Sequence, residues 1–225
     1  MIPRLGLDLE PGLLISRVLS DLDLLDVAYG ATHGGVQALM VPVSAFGDGT
    51  PYSADLFMRP GLPLLMVKAE LEQMDQVLAL GAAPDRVLLV GDRGRSLLDF
   101  TRVSEVVASV AGFSQEIAVL VEPDATSLRG LARARAHWAV FSSEALFRTN
   151  SASEADAELA KLTSAALAAD KLNLRVALYG PTGRHLPASF SAVPHLEEVF
   201  PTPDLWNLAL RLGWEGAVAE YRSLM

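Results

Sequence analysis

The chain contains no cysteine. That excludes a disulfide framework, a thiol nucleophile and Cys-ligated zinc, and it fits a reducing cytoplasm. Histidine is almost as scarce, with four in 225 residues, so acid–base chemistry near neutral pH has few of its usual carriers. Cations are outnumbered, 18 Lys and Arg against 27 acids for a net charge of -9. A nucleic-acid partner is therefore not expected, because phosphate backbones need clustered Lys and Arg. Long apolar runs are missing too. Residues 27–47 carry no Asp, Glu, Lys or Arg, but Gly30, Gly34, Gly35 and Pro42 divide them into helix end, turn and strand, so no membrane span is expected. The start, MIPRLGLDLEPG, lacks an apolar core and meets acids at Asp8 and Glu10, unlike a secretion signal. The expected location is the cytoplasm.

What is present is apolar and repetitive. With 51% hydrophobic residues, the chain can bury one large core, and a single domain over residues 1–225 is expected. Short apolar runs alternate with helical patterns. The runs are Leu5 to Leu9, Ala38 to Val43, Pro63 to Val67, Arg86 to Val90, Ile117 to Val121, Trp138 to Phe141, Arg175 to Tyr179 and Glu198 to Phe200. Between them lie helical segments, including Ala54 to Met58 capped by Ser53, a stretch burying Leu71, Met74, Val77 and Leu78, and one opened by Ser151 with Glu154 in capping-box spacing. Thr202 and Pro203 read as N-cap and first turn of a helix burying Leu205, Leu208, Ala209 and Leu212 and ending at Gly213. Eight strand–helix units without period-2 alternation predict an α/β fold, a closed (βα)8 TIM barrel; an open doubly wound sheet is the runner-up.

In such a barrel the functional groups gather at the carboxyl ends of the strands. There the seventh strand runs into Gly180-Pro181-Thr182-Gly183-Arg184. Backbone N–H groups of Gly180, Thr182 and Gly183, the charge of Arg184 and the helix start at Thr202 make a candidate site for the phosphate of a small molecule. The alternative is a plain tight turn. Asp8, Glu10 and Asp92 are the candidate acid–base groups. Asp8 and Glu10, two residues apart on a strand, point the same way and can share a proton, hold a divalent ion or pair with Lys68. Metal-ligand spacing of the His type is absent, and neither metal nor cofactor is expected. His33, His137 and His195 precede strands or turns on the amino-terminal side; only His185 follows a strand's carboxyl end, where it reads as a solvated loop residue.

Leu5-Gly6-Leu7-Asp8-Leu9-Glu10, the run Leu64 to Ala69, PDRVLLVGD, VLVEPD, LRVALYG and the closing GWEGAVAEYRSLM resemble pyridoxine 5'-phosphate synthase, nearly end to end. The resemblance implies an eight-stranded βα barrel that assembles into homo-oligomers. It also implies a reaction joining deoxyxylulose phosphate to aminoacetone phosphate without a cofactor, using histidines, arginines and a glutamate at the strand ends.

This chain departs from the family pattern at those ends. Where the family has N-x-D-H, the chain has Asp8-Leu9-Glu10-Pro11; the family's glutamate in L-E-M falls on Val67; its E-L-H-T-G meets Val140 to Glu144. G-H-G-L aligns with Gly180 to Gly183, and N-I-G-H with Phe200 to Pro203, in both cases without histidine. Two functions remain open. One is a pseudoenzyme or binding module that keeps the barrel for a phosphorylated ligand or for assembly. The other is a working enzyme, of the family reaction or an altered one, using Glu10, Asp92 and Arg184.

Overall fold

The computed structural model describes residues 2–16, 18–19, 21–47, 49–97, 99–110, 112–184 and 186–225. Eight parallel strands close in sequence order: β1 (Arg4–Asp8), β2 (Ala38–Pro42), β3 (Leu64–Glu70), β4 (Arg86–Val90), β5 (Glu116–Val121), β6 (Trp138–Ser142), β7 (Arg175–Tyr179) and β8 (Leu196–Phe200), with β8 paired back to β1. The barrel predicted from the repeat is the fold, and the open sheet is excluded. Around it lie α1 (Glu10–Ser16), α2 (Leu24–His33), α3 (Ala54–Phe57), α4 (Met74–Leu78), α5 (Phe100–Val110), α6 (Ala125–Ala134), α7 (Glu144–Phe147), α8 (Ala152–Lys171) and α9 (Asp204–Leu224).

Each strand is apolar on both faces because both faces are covered. Outward side chains such as Leu7, Leu39, Val67 and Val119 join the layer beneath the helices. Inward ones, among them Met40, Met66, Leu88, Val140 and Phe200, fill the lumen. A Cβ on Gly6 would lie 2.1 Å from the Phe200 ring, so glycine on β1 lets that ring occupy the barrel centre. The lumen is packed, not hollow.

The helices differ locally from expectation. α1 and α7 are short turns of helix directly after β1 and β6, too brief to show periodicity. Ser53 makes no side-chain cap bond to α3. Leu78 and Leu212 are 41% and 45% exposed instead of inward, because α4 ends at Leu78 and Gly213 breaks α9 with φ 67 and ψ 173. Beyond that break Ala217, Val218 and Tyr221 are buried as expected. The N-cap of α9 is Pro203 and not Thr202, whose N–H bonds the Phe200 carbonyl at 3.0 Å.

The amino-terminal end of the lumen is closed by charge. Arg86 is 1% exposed and pairs with Glu198 at 2.6 Å and Glu116 at 2.9 Å. Glu198 also takes Arg4 at 2.6 Å, and Glu116 takes Arg175 at 2.8 Å and the Trp138 indole N–H at 2.8 Å. The Arg86 and Arg175 guanidinium carbons lie 3.8 and 3.9 Å from the Trp138 ring centroid, within cation–π range. Burial opposes the Glu116 charge, but the Trp138 hydrogen bond and the two arginines outweigh it and hold its carboxyl below the usual range.

Candidate functional site

At the opposite end, β1, β3 and β7 bring three polar groups onto the lumen floor, and Glu10 at the start of α1 reaches them. Asp8 is the last residue of β1, Lys68 sits on β3 and Tyr179 ends β7. The Lys68 ammonium donates to Asp8 Oδ2 at 2.6 Å, Glu10 Oε2 at 2.7 Å and the Tyr179 hydroxyl at 3.1 Å. Tyr179 in turn donates to Asp8 Oδ2 at 2.9 Å. The other Asp8 oxygen accepts the Glu10 N–H at 2.9 Å, and the Asp8 carbonyl accepts the Trp206 indole N–H at 2.7 Å. Asp8 is fully buried and Lys68 is 5% exposed, whereas Glu10 is 47% exposed. Among the described residues no buried side-chain N or O lacks a hydrogen-bond partner.

These contacts set the charges. Burial opposes the Lys68 ammonium, but the Asp8 carboxylate, Tyr179 and Glu10 outweigh it and raise its pKa above the ordinary lysine range. Burial pushes the Tyr179 hydroxyl up as well, reinforced by Asp8. Both acids that sequence spacing placed side by side are thus tied to one cation. Among the described residues no group of three His, Asp or Glu is arranged to hold a metal ion.

Inward placement also changes one alignment. Val67, where the family glutamate falls, lies in the outer layer beneath the helices. The inward position at that level is Lys68, so the group aimed at the mouth from β3 is a cation.

Above the floor opens a cavity of about 740 Å³. Tyr179, Gly180, Pro181 and Thr202 form one wall, and Arg93, Arg95 and Arg148 reach it from the ends of β4 and β6. Among the described residues no histidine lines it. His137 accepts the Ile117 N–H at 3.0 Å at the amino-terminal end, His33 and His195 face Glu215 and Asp170 at 3.5 and 3.4 Å, and His185 lies outside the described residues.

The expected anion cradle after β7 is built but already engaged. Gly180 has φ 124 and Gly183 φ 58, backbone that favours glycine, and a Cβ on Gly180 would meet Ser143 Oγ at 2.7 Å. The Gly180 N–H bonds the Phe200 carbonyl at 3.1 Å. Thr182 is fully buried; its N–H and hydroxyl both reach Asp204 Oδ2, at 2.5 and 3.0 Å, and its hydroxyl lies 2.8 Å from that of Tyr221. Arg184 is exposed and does not line the cavity. Of the five residues expected to hold an anion, the cavity brings together Gly180 and Thr202. Asp92, the third acid candidate, is 83% exposed with Arg93 at 4.0 Å.

Sequence reading passed over Tyr179, Arg95 and Arg148. Tyr179 closes an apolar strand, and its polar tip signals nothing without the partners across the lumen. Arg148 follows a helix of four residues, too short to predict.

Residues 65–225 match the family described as pyridoxal phosphate biosynthesis protein PdxJ. Pyridoxine 5'-phosphate synthase from Synechococcus sp. (strain JA-2-3B'a(2-13)) is 28% identical over 158 residues, a stretch amounting to 66% of this chain and 66% of that protein. Among solved structures the barrel is similar to a 3-hexulose-6-phosphate synthase, with a TM-score of 0.59, 13% identity and 99% of each chain covered. It is also similar to 3-keto-L-gulonate-6-phosphate decarboxylase from Vibrio cholerae O1 biovar El Tor, with a TM-score of 0.58, 12% identity and coverage of 99% and 96%. At such identities the likeness shows the fold alone.

Proposed function

This chain belongs to the family of the pyridoxal phosphate biosynthesis protein PdxJ, and from that premise we propose that its barrel binds a phosphorylated small molecule in the mouth cavity without carrying out the family condensation. The carrying observation is Lys68 held between Asp8 and Glu10. A group that moves protons near neutral pH needs a pKa close to the working pH, and a lysine that attacks a carbonyl must shed its proton. Two carboxylates oppose both. Val140, where the aligned family motif carries a glutamate, is apolar filling of the lumen, and the histidine of N-I-G-H falls on Pro203. The cavity itself remains, with room for a sugar phosphate and with Gly180, Thr202 and arginines on its walls.

We also propose a cytoplasmic homo-oligomer. The absence of cysteine supports the compartment; among the described residues no helix is long and apolar enough to cross a membrane. Leu14, Val18 and Leu19, 55%, 84% and 58% exposed on and after α1, support assembly. A monomeric mass by light scattering at micromolar concentration would contradict it.

The functional reading is tested by incubating purified protein with deoxyxylulose phosphate and aminoacetone phosphate. The expected result is a raised unfolding temperature with no product, since a ligand that prefers the native state stabilises it. Turnover overturns the proposal. The working-enzyme reading is favoured by one observation, the half-exposed Glu10 carboxylate at the mouth; it requires that any turnover be lost in Glu10→Gln.

A further inference from the structure

The cavity and the glycine turn beside it make opposite electrostatic offers. At the turn, the place an anion would occupy is taken by the protein's own carboxylate: Asp204 Oδ2 accepts both the N–H and the hydroxyl of Thr182. A phosphate brought there would meet a negative charge and find the Gly180, Thr182 and Thr202 N–H groups already bonded.

Across the cavity the loop after β4 is built to present arginine. The Gly91 N–H bonds the Arg95 carbonyl at 2.7 Å, the Leu97 N–H bonds the Leu120 carbonyl at 2.8 Å, and Glu70 Oε1 accepts the Arg93 N–H at 2.8 Å. Arg93 itself is left-handed, φ 57 and ψ 34, a conformation that costs a non-glycine residue on the order of 1 kcal/mol and persists where surrounding bonds enforce it. Arg95 pairs with no carboxylate among the described residues. Arg148, on the far side of β5, brings a third guanidinium, beside Glu144. In a chain of net charge -9, three arginines face two carboxylates, Glu122 and Glu144, on this cavity, and the excess positive charge, with Arg95 unpaired, favours anions locally.

Resting on the reading that the cavity takes a phosphorylated ligand, we propose that the phosphate is seated by Arg93, Arg95 and Arg148 at the β4 and β6 ends, and not at the β7–β8 turn, where Asp204 stands in for it. Guanidinium groups suit this role because their planar donors match phosphate oxygens in pairs.

Calorimetry with inorganic phosphate and with glycerol 3-phosphate distinguishes the two sites. Binding of glycerol 3-phosphate to the unmodified protein should weaken as salt rises. Arg95→Ala and Arg148→Ala should each weaken it about tenfold, the loss of one charged hydrogen bond, and Arg184→Ala should leave it unchanged. Binding that survives both cavity substitutions but is lost in Arg184→Ala, or that none of the three changes, overturns the arginine seat while the ligand-binding reading stands. No binding of either probe by the unmodified protein removes that reading and the seat with it. A circular-dichroism melt of each variant separates lost binding from lost fold.

Discussion

The two ends of this barrel both carry buried charge, and they use it differently. At the amino-terminal end Arg4, Arg86 and Arg175 alternate with Glu116, Glu197 and Glu198 around Trp138, so every cation meets an acid and the lumen is closed. At the carboxyl end one cation, Lys68, serves two acids, and the arginines stand above it on an open cavity. The first pattern closes the barrel. The second ties two acids to one cation beneath a cavity whose three arginines face two acids, Glu122 and Glu144.

The comparison breaks most readily through stability. Arg86→Ala should destabilise by about 3 kcal/mol, because buried Glu198 would keep only Arg4 and the lumen would lose the cation that joins it to Glu116. If the floor at the other end is equally structural, Lys68→Ala should cost a similar amount, since Asp8 is fully buried. Denaturant midpoints decide it: a Lys68 variant more stable than the parent would mark that lysine as a strained functional group.

The ends should also fail at opposite extremes of pH. The Glu116 carboxyl is held below its ordinary range, so its contribution is present above the unfolded-state pKa and is lost as pH falls through the folded one. Lys68 is raised, so its contribution is complete below the ordinary lysine value and is lost as pH climbs past it. Melting temperatures should therefore drop on the acid side in the parent, less steeply in Glu116→Gln, and on the alkaline side less steeply in Lys68→Met. A parent curve flat at both extremes would contradict the paired arrangement.

Smaller effects sharpen the boundary between frame and site at the carboxyl end. Asp124 accepts the Thr126 and Ser127 N–H groups at 2.8 and 3.0 Å at the start of α6; Asp124→Ala should cost about 0.5 to 2 kcal/mol as a lost cap. Arg184→Ala and Asp92→Ala, both at exposed positions, should stay within about 0.5 kcal/mol of the parent by urea denaturation. A larger loss at either would mean a structural role for an exposed loop residue.

The fold was legible because repetition is a strong signal: eight apolar runs at similar spacing admit few arrangements, and β4 and β7 matched residue for residue. Boundaries moved where charge hid structure. β3 continues past Val67 to Glu70, and the added residues include Lys68. The closed amino-terminal end had a readable trace, charged residues opening β4, β5 and β7 at Arg86, Glu116 and Arg175, but the partner of each lies on another strand. Lys68 was foreseen as a partner for one acid at the first strand end, and the geometry joins it to both. The cradle at Gly180 was legible as backbone geometry, since both glycines have positive φ. Its occupant was not, because Asp204 lies 22 residues from Thr182 and only the closed barrel brings them together.

Lys68 offers the most direct measurement. With lysine side chains isotopically labelled, its resonance can be assigned by loss in Lys68→Met and followed by NMR from pH 6 to pH 11. A locked floor predicts a resonance that stays that of the ammonium beyond the ordinary lysine pKa of about 10.4. A midpoint near neutrality would give the barrel a working acid–base group at its mouth and contradict the account.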